Sequence, residues 1–425
     1  MKSKKIINYI EENKDVFIDF LKTLISKDTT NINHGLDGGN EKNGQEIIIS
    51  KFKELGLDIE VFEPDNNKLK KYKESSLGHN YKNRPNVVGI LKGEDKENYK
   101  SVILNGHIDT MPFASIDKWF SHPLDPIIID NKIYGRGSCD MKGGLAALIL
   151  AVEVLIKLNC DIKGDIIIES VVDEEGGGNG TLACVDKGYK ADLAIVAEPT
   201  ELKLMKAHMG WVFFKMDIEG KSLHSGLKWL GVNAIEKTIK VMDGLKELEK
   251  EWLLEKRDSI LPPPTINFGT INGGTAGSVV PDNCRLDFGI HFLPTDADEN
   301  GLGSKVEKEI IDRINLISNG DAWLKDHKPK LTKYQEGSPF EMKSKKGFLQ
   351  IFSDNFKKIR KEESLISGSE YGCDARLLQN YSKVPTLMFG PGSIKQAHGI
   401  NEYLDLDQYI DYIKIIALSL NDLNK

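Results

Sequence analysis

Short β-branched and aliphatic runs alternate with helical stretches through the first half of this 425-residue chain, and the runs end in turns rich in glycine, histidine and carboxylates. Asp58–Phe62, Asn86–Leu91, Ser101–Leu104, Asp165–Val172 and Leu193–Ala197 read as strands. Lys4–Ile25, Gly44–Leu55 and Leu145–Leu158 carry helical spacing, and the polar, aperiodic Pro64–Pro85 reads as a surface loop. Strands that alternate with helices predict an α/β fold around a mostly parallel sheet. Near Lys206 the pattern changes. Trp211–Ile218, Asn233–Leu248, Thr265–Ile271, Arg285–Phe292 and Lys305–Ile317 give a βαββα order, which predicts an inserted α+β unit with an antiparallel sheet covered by helices. A helix at Lys346–Lys358, a strand at Thr386–Phe389 and a closing helix at Leu406–Asn421 resume the first pattern. The chain is too long for one ordinary core, so two domains are expected: residues 1–205 with 322–425, and an insert at 206–321.

Charge and cysteine usage narrow the function. The formal net charge of -7 disfavours nucleic acid and anionic membranes as partners. The lysine runs Lys68–Lys73 and Lys343–Lys346 contain only Tyr72 as an aromatic, too little for a base-stacking surface. The apolar stretch Leu145–Leu158 is short of a bilayer span and contains Glu153 and Lys157. Met1–Thr30 lacks the uninterrupted apolar core of a signal peptide. Five cysteines, with no C-x-x-C among them, argue against a disulfide framework and for a reducing compartment. A cytoplasmic protein is expected.

Four clusters carry chemistry. Gly106-His107-Ile108-Asp109 follows a strand. In extended chain His107 and Asp109 share a side, so Asp109 is placed to orient an imidazole bound to a metal. Gly135–Gly144 places Asp140 just before an apolar helix. Asp173-Glu174-Glu175 ends another strand and runs into three glycines, and Glu198-Pro199 ends a third. Each has an ordinary explanation when taken singly: a surface turn, a helix cap, a solvated turn, a structural Glu-Pro corner. Together they differ, because ligands of open α/β sheets bind beyond the carboxyl ends of strands. Histidine with several carboxylates is the donor set of catalytic zinc, and this set exceeds one ion but suits two sharing a bridging aspartate. His398, in Ala397–Glu402, is a further candidate ligand.

These motifs, in this order from GHIDT at Gly106 to AHGINE at Ala397, resemble the dinuclear-zinc aminoacylase and carboxypeptidase family that includes acetylornithine deacetylase and succinyl-diaminopimelate desuccinylase. The resemblance implies that His107, Asp140 and Glu198 hold one metal, and that Asp140, Glu175 and His398 hold the other. Two divalent ions are expected, zinc first, with cobalt or manganese as alternatives. It further implies Glu174 as general base, Asp109 as the residue orienting His107, and His224 as a histidine of the inserted lid domain that reaches a partner subunit's site to stabilise the oxyanion. A homodimer through that domain follows. The expected reaction is hydrolysis of the amide of a small N-acyl amino acid, by a two-metal-activated water.

Two positions depart from the family pattern. Ser278 stands where asparagine precedes VVP, and His291 stands where arginine ends the second lid strand. Both family residues grip a substrate carboxylate, and histidine cannot make the bidentate clamp of arginine. Arg376, in Tyr371–Arg376, is the candidate to take over, with an ion pair to Asp374 as the competing role. These departures touch the substrate, not the metals. A dipeptidase or carboxypeptidase of the same chemistry is the alternative. From other classes, a silent metal-binding protein is disfavoured because a metal site needs no Glu174. A nucleotide-binding oxidoreductase lacks the third glycine of G-x-G-x-x-G, and no H-E-x-x-H or G-x-S-x-G offers another hydrolase mechanism.

Overall fold

A computed structural model describes residues 2–95, 97–343 and 346–423. Of the Lys343–Lys346 run, residues 344 and 345 lie outside the described residues. So do residues 1, 96, 424 and 425 of the expected outer domain.

In chain order the strands begin with β1 (Asp58–Phe62), β2 (Asn86–Leu91), β3 (Val102–His107), β4 (Ile127–Ile129), β5 (Lys132–Tyr134), β6 (Ile166–Val171), β7 (Leu193–Val196) and β8 (Leu204–His208). Next come β9 (Gly210–Glu219), β10 (Thr265–Gly273), β11 (Asn283–Phe292) and β12 (Lys330–Gly337). The last four are β13 (Phe340–Glu341), β14 (Ile366–Ser369), β15 (Thr386–Met388) and β16 (Tyr403–Asp405). The chain forms two compact units. The first comprises Met1–Lys206, Met342–Ser367 and Cys373–Lys425, and the second Ala207–Glu341 with Gly368–Gly372.

In the first unit the sheet runs in the order β1-β2-β6-β3-β7-β15-β8. Its four central strands β6, β3, β7 and β15 are parallel, and antiparallel strands flank them on both sides. The fold is therefore mixed α/β with a mostly parallel centre, as the alternation of strands and helices predicts. Strands β3, β6 and β7 are buried along their whole length, which explains why they read as continuous apolar runs rather than alternating ones. Helix Lys142–Lys157 is buried on nearly every face, as a helix that is apolar all round must be. Its first turn lies against the end of β7: a Cβ on Gly144 would sit 2.1 Å from the carbonyl oxygen of Ala197. Glycine at this position lets the helix start close to the strand ends.

Several elements differ from the sequence reading. The opening helix is two, Lys2–Glu12 and Lys14–Ile25, broken at Asn13, whose side chain donates to the Tyr9 carbonyl. The Pro64–Pro85 stretch contains a helical turn, Asn66–Leu69, capped by Asp65. A small sheet of order β16-β5-β4 was not anticipated. Among the described residues no helix is long and apolar enough to cross a membrane, and all five cysteines are free.

The second unit is built on an antiparallel sheet of order β10-β11-β9-β12. Val212, Phe214, Met216 and Ile218 alternate along β9, and Leu286, Phe288, Ile290 and Phe292 along β11. They meet Val241, Leu245, Leu248 and Trp252 of helix Ala234–Glu255 and Val306, Ile310 and Ile314 of helix Ser304–Asn319. The period of two on the strands and of three to four on the helices is what places one core between them. This unit runs on to Glu341, where the sequence reading ends it at 321, because β12 adds a fourth strand beside β9.

Candidate functional site

The carboxyl ends of three adjacent parallel strands deliver the candidate site. His107 is the last residue of β3, Asp173–Glu175 follow β6, and Glu198 follows β7. Asp140 arrives just ahead of helix Lys142–Lys157. Its carboxylate makes no cap there, since the N-cap residue is Met141 and no side chain caps that end. It turns instead to the histidines: Oδ1 lies 3.1 Å from His107 Nε2 and Oδ2 lies 3.3 Å from His398 Nε2. His398 Nε2 is also 3.0 Å from Glu175, and His107 Nε2 is 4.0 Å from Glu198 Oε1.

Two donor sets result. Asp140, Glu175 and His398 bring one ligand atom each within 4.8 Å of one another, and so do His107, Glu174 and Glu198. The first is the trio the sequence reading assigns to one metal. In the second, Glu174 stands as close as a ligand would, while Asp140 touches both sets.

Asp109 holds this geometry by a route the sequence did not reveal. Its backbone carbonyl, 2.9 Å from His107 Nδ1, accepts that N–H, while its carboxylate lies 3.7 Å from the same nitrogen. Nδ1 therefore carries the proton, and Nε2 is the ligating nitrogen. The Asp109 carboxylate accepts the backbone N–H of Glu174 on Oδ1 (3.2 Å) and of Glu175 on Oδ2 (3.1 Å). Asp173, the first of the three carboxylates, faces away. It is fully buried and receives Arg84 (2.9 Å), His79 (2.9 Å) and Tyr81 (2.7 Å). Gly176 is required beside it, because a Cβ there would lie 2.4 Å from Asp173 Oδ1.

The electrostatics are those of a site built for cations. Burial, then the charge of Glu198, pushes Glu174 well above the ordinary carboxylate range. Burial, then the charge of Asp140, does the same for Glu198 and raises Glu175. Asp140 moves the other way: burial opposes ionisation, but hydrogen bonds from His107 and His398 hold its pKa low. His398 is pushed up to about 10 by its bonds to Asp140 and Glu175. His107, which burial alone would lower, is raised by its bond to Asp140 and the charge of Asp109. With all four carboxylates ionised and both imidazoles protonated the set would carry two net negative charges, which a divalent cation would offset. Glu198 Oε1 is buried with no hydrogen-bond partner, which leaves its lone pairs free to ligate a metal. The donors are oxygen and imidazole nitrogen, which suits zinc, cobalt or manganese.

A peptidase family M20/M25/M40 model matches residues 103–422, from β3 to the last helix. The chain belongs to that family. It is 32% identical to the N-formyl-4-amino-5-aminomethyl-2-methylpyrimidine deformylase of Bacillus subtilis (strain 168), over 96% of this chain and 94% of that one. It is 30% identical to the acetylornithine deacetylase of Buchnera aphidicola subsp. Acyrthosiphon pisum (strain APS), over 92% and 93%. The solved aminopeptidase PepT of Bacillus cereus superposes with a TM-score of 0.73 at 20% identity, over 97% and 99%. An M20-family chain with this site is an enzyme that hydrolyses amide bonds with the aid of metal.

The remaining sequence candidates fall elsewhere. His224 precedes the short helical turn Ser225–Leu230 of the second unit and is exposed. Its Nδ1 accepts the N–H of Gly226 at 3.1 Å, so the neutral ring carries its proton on Nε2. Ser278 is exposed, and its carbonyl accepts the N–H of Ser225. His291 is half-buried on β11, and burial lowers its pKa. Arg376 is 3% exposed and bound inside the first unit. Nε donates to Glu74 at 2.9 Å, Nη1 to the Cys373 carbonyl at 2.8 Å and Nη2 to the Gly177 carbonyl at 3.0 Å. Asp374, the expected competitor, is 3.9 Å away.

Two residues inside the quoted motifs were given no role and have one. Glu402 Oε1 accepts the backbone N–H groups of Cys139 (2.9 Å) and Asp140 (3.0 Å), and Oε2 receives Arg136 at 2.6 Å. Their signal was there to read: each is an ionisable residue within four positions of a ligand.

Proposed function

We propose that this enzyme cleaves the N-acyl amide of a small amine that carries no carboxylate, an N-formylaminomethyl heteroaromatic compound being the leading class. The observation that carries this reading is the missing carboxylate grip. Ser278 and His291 replace the asparagine and arginine, burial keeps His291 neutral, and Arg376 is committed to Glu74. The B. subtilis relative's named substrate likewise contains no carboxyl group. An N-acyl amino acid is the second reading, supported by the acetylornithine deacetylase relatives.

The residue roles are those the family resemblance implies, and the clustering of these side chains supports them. His107, Asp140 and Glu198 would hold one ion and Asp140, Glu175 and His398 the other, with zinc as the first choice. When bound, such a pair acidifies water toward a pKa of ~7 and polarises the amide carbonyl. Glu174, its proton affinity raised by burial, takes a proton from the attacking water and passes it to the leaving nitrogen. The C–N bond breaks, the water hydroxyl stays on the acyl carbon as the acid, and the nitrogen, with the proton from Glu174, leaves as the neutral amine. In the dimer that the resemblance implies, His224 donates from Nε2 to the oxyanion developing in the partner subunit's site. Arg376 holds the turn at Gly177 that follows Glu174 and Glu175. We assign the second unit a lid and dimerisation role, supported by Leu227, Trp229 and Leu230, exposed beside His224. Five free cysteines support a cytoplasmic setting.

The test is amine release from a panel by chelator-stripped protein reloaded with zinc, cobalt or manganese. The panel holds an N-formylaminomethylpyrimidine, N-acetylornithine, N-succinyl-diaminopimelate and dipeptides. Metal-dependent turnover of the first alone supports the proposal. Turnover of the acyl amino acids restores the second reading, and turnover of dipeptides alone overturns both.

A further inference from the structure

The buried pair Arg136–Glu402 reaches the backbone of two candidate ligands at once. Glu402 is 1% exposed and Arg136 2%. One oxygen of Glu402 gathers the N–H groups of Cys139 and Asp140, and the other receives Arg136 Nη1. Arg136 Nη2 donates to the carbonyls of His398 and Pro112, each at 3.3 Å. The guanidinium lies under the Trp119 ring, 5.4 Å from its centroid. Asp140 and His398 come from segments more than 250 positions apart in sequence, and the pair spans both. His398 needs such a tie, because its backbone sits at a positive φ of 62°, a conformation that side chains larger than glycine rarely hold unaided.

We infer that Arg136 and Glu402 are positioning residues that set the affinity of the metal held by Asp140, Glu175 and His398, more than that of the metal held by His107 and Glu198. The inference rests on the ligand sets proposed above. It follows from connectivity: the pair touches the backbone of two ligands in the first set and only the shared Asp140 in the second. A lysine at 136 keeps the charge but cannot fork between a carboxylate and two carbonyls.

The experiment titrates the stripped full chain with zinc against a fluorescent zinc chelator. It compares the parent with Arg136→Lys, Glu402→Gln and His398→Ala, and follows the thermal midpoint of each metal-free protein. The expected result is a tight first equivalent within about threefold of the parent and a second equivalent weakened about 10- to 100-fold in Arg136→Lys and Glu402→Gln. His398→Ala should lose that second equivalent. If His398→Ala loses it while the other two variants bind as the parent does, the positioning role is overturned and the ligand sets stand. If His398→Ala still binds two equivalents tightly, the ligand sets themselves fail. Equal weakening of both equivalents, with a fallen midpoint, overturns the inference in favour of a general structural role. Should Glu402→Gln not fold, Arg136→Lys carries the same test from the other end of the pair.

Discussion

The two units treat their ionisable residues in opposite ways. In the first, Asp109, Asp140 and His107 are buried near the strand ends and each is fixed by backbone or by another charged group. In the second, a large apolar cluster fills the space between sheet and helices. Its chemical candidates His224 and Ser278 stand exposed, with only turn contacts. The contrast separates two demands. A metal site must hold charges where water would not leave them, so it needs the stiffest part of the fold. A group that meets a substrate late in the reaction can stand on a turn.

The largest effect that would break this comparison lies at Glu174. Glu174→Gln should lower kcat about 10²- to 10⁴-fold while metal content stays at the parent level by elemental analysis. Unchanged turnover would remove the general-base assignment and with it the chemical priority of the first unit. Next comes His224→Ala, expected to cost about 10²- to 10³-fold in kcat with metal affinity and thermal midpoint unmoved. Steady-state kinetics showing the parental kcat would leave the second unit with no part in the reaction.

A smaller effect concerns the cost of burying charge in the first unit. Glu169 lies in the middle of β6, fully buried, with one oxygen receiving Asn105 at 3.0 Å and the other unpartnered. Burial raises its pKa to about 7 against an ordinary value of 4.5. The folded chain then keeps this proton up to about pH 7, while the unfolded chain releases it near 4.5. Its favourable contribution to folding is complete below pH 4.5 and is lost as pH rises to 7, by roughly 3 kcal/mol. Glu169→Gln should flatten that part of the stability curve. Denaturant melts at pH 5 and pH 8 that shift equally in parent and variant would show that Glu169 titrates normally. The smallest expected change is on the recognition side. His291→Arg should raise kcat/KM for N-acetylornithine relative to an uncharged N-formyl amine by about tenfold, the lower end of what one charged hydrogen bond supplies. No change in that ratio would exonerate position 291.

The sequence was most legible where physics leaves few options. A run such as Ile166–Val171, short and rich in isoleucine and valine, reads as a buried strand, and the turn after it must be solvated or hold a cation, so candidate ligand clusters could be named before any coordinates. The second unit's β9 and β11 were legible because apolar residues alternate along them. β12 was not: Lys330–Gly337 pairs with β9 and shows almost no buried side chains, so no hydrophobic period marks it. The Arg84, Glu41 and Asp173 network was illegible for another reason. Its members are 43 and 89 positions from Arg84, and nothing in spacing announces a buried ion pair across such distances. Proximity in sequence showed only the weaker partner of Arg376, the long ion pair to Asp374 at 3.9 Å. Asp374 is two residues away, yet the guanidinium finds Glu74, 302 positions back.

Asp109 has a consequence for how such an enzyme can change. One carboxylate gathers the N–H groups of both Glu174 and Glu175, so the proposed base and a proposed metal ligand ride on a single mount. A substitution that displaces the Asp109 carboxylate would shift both residues together, so their spacing is fixed at one point of the fold rather than at two.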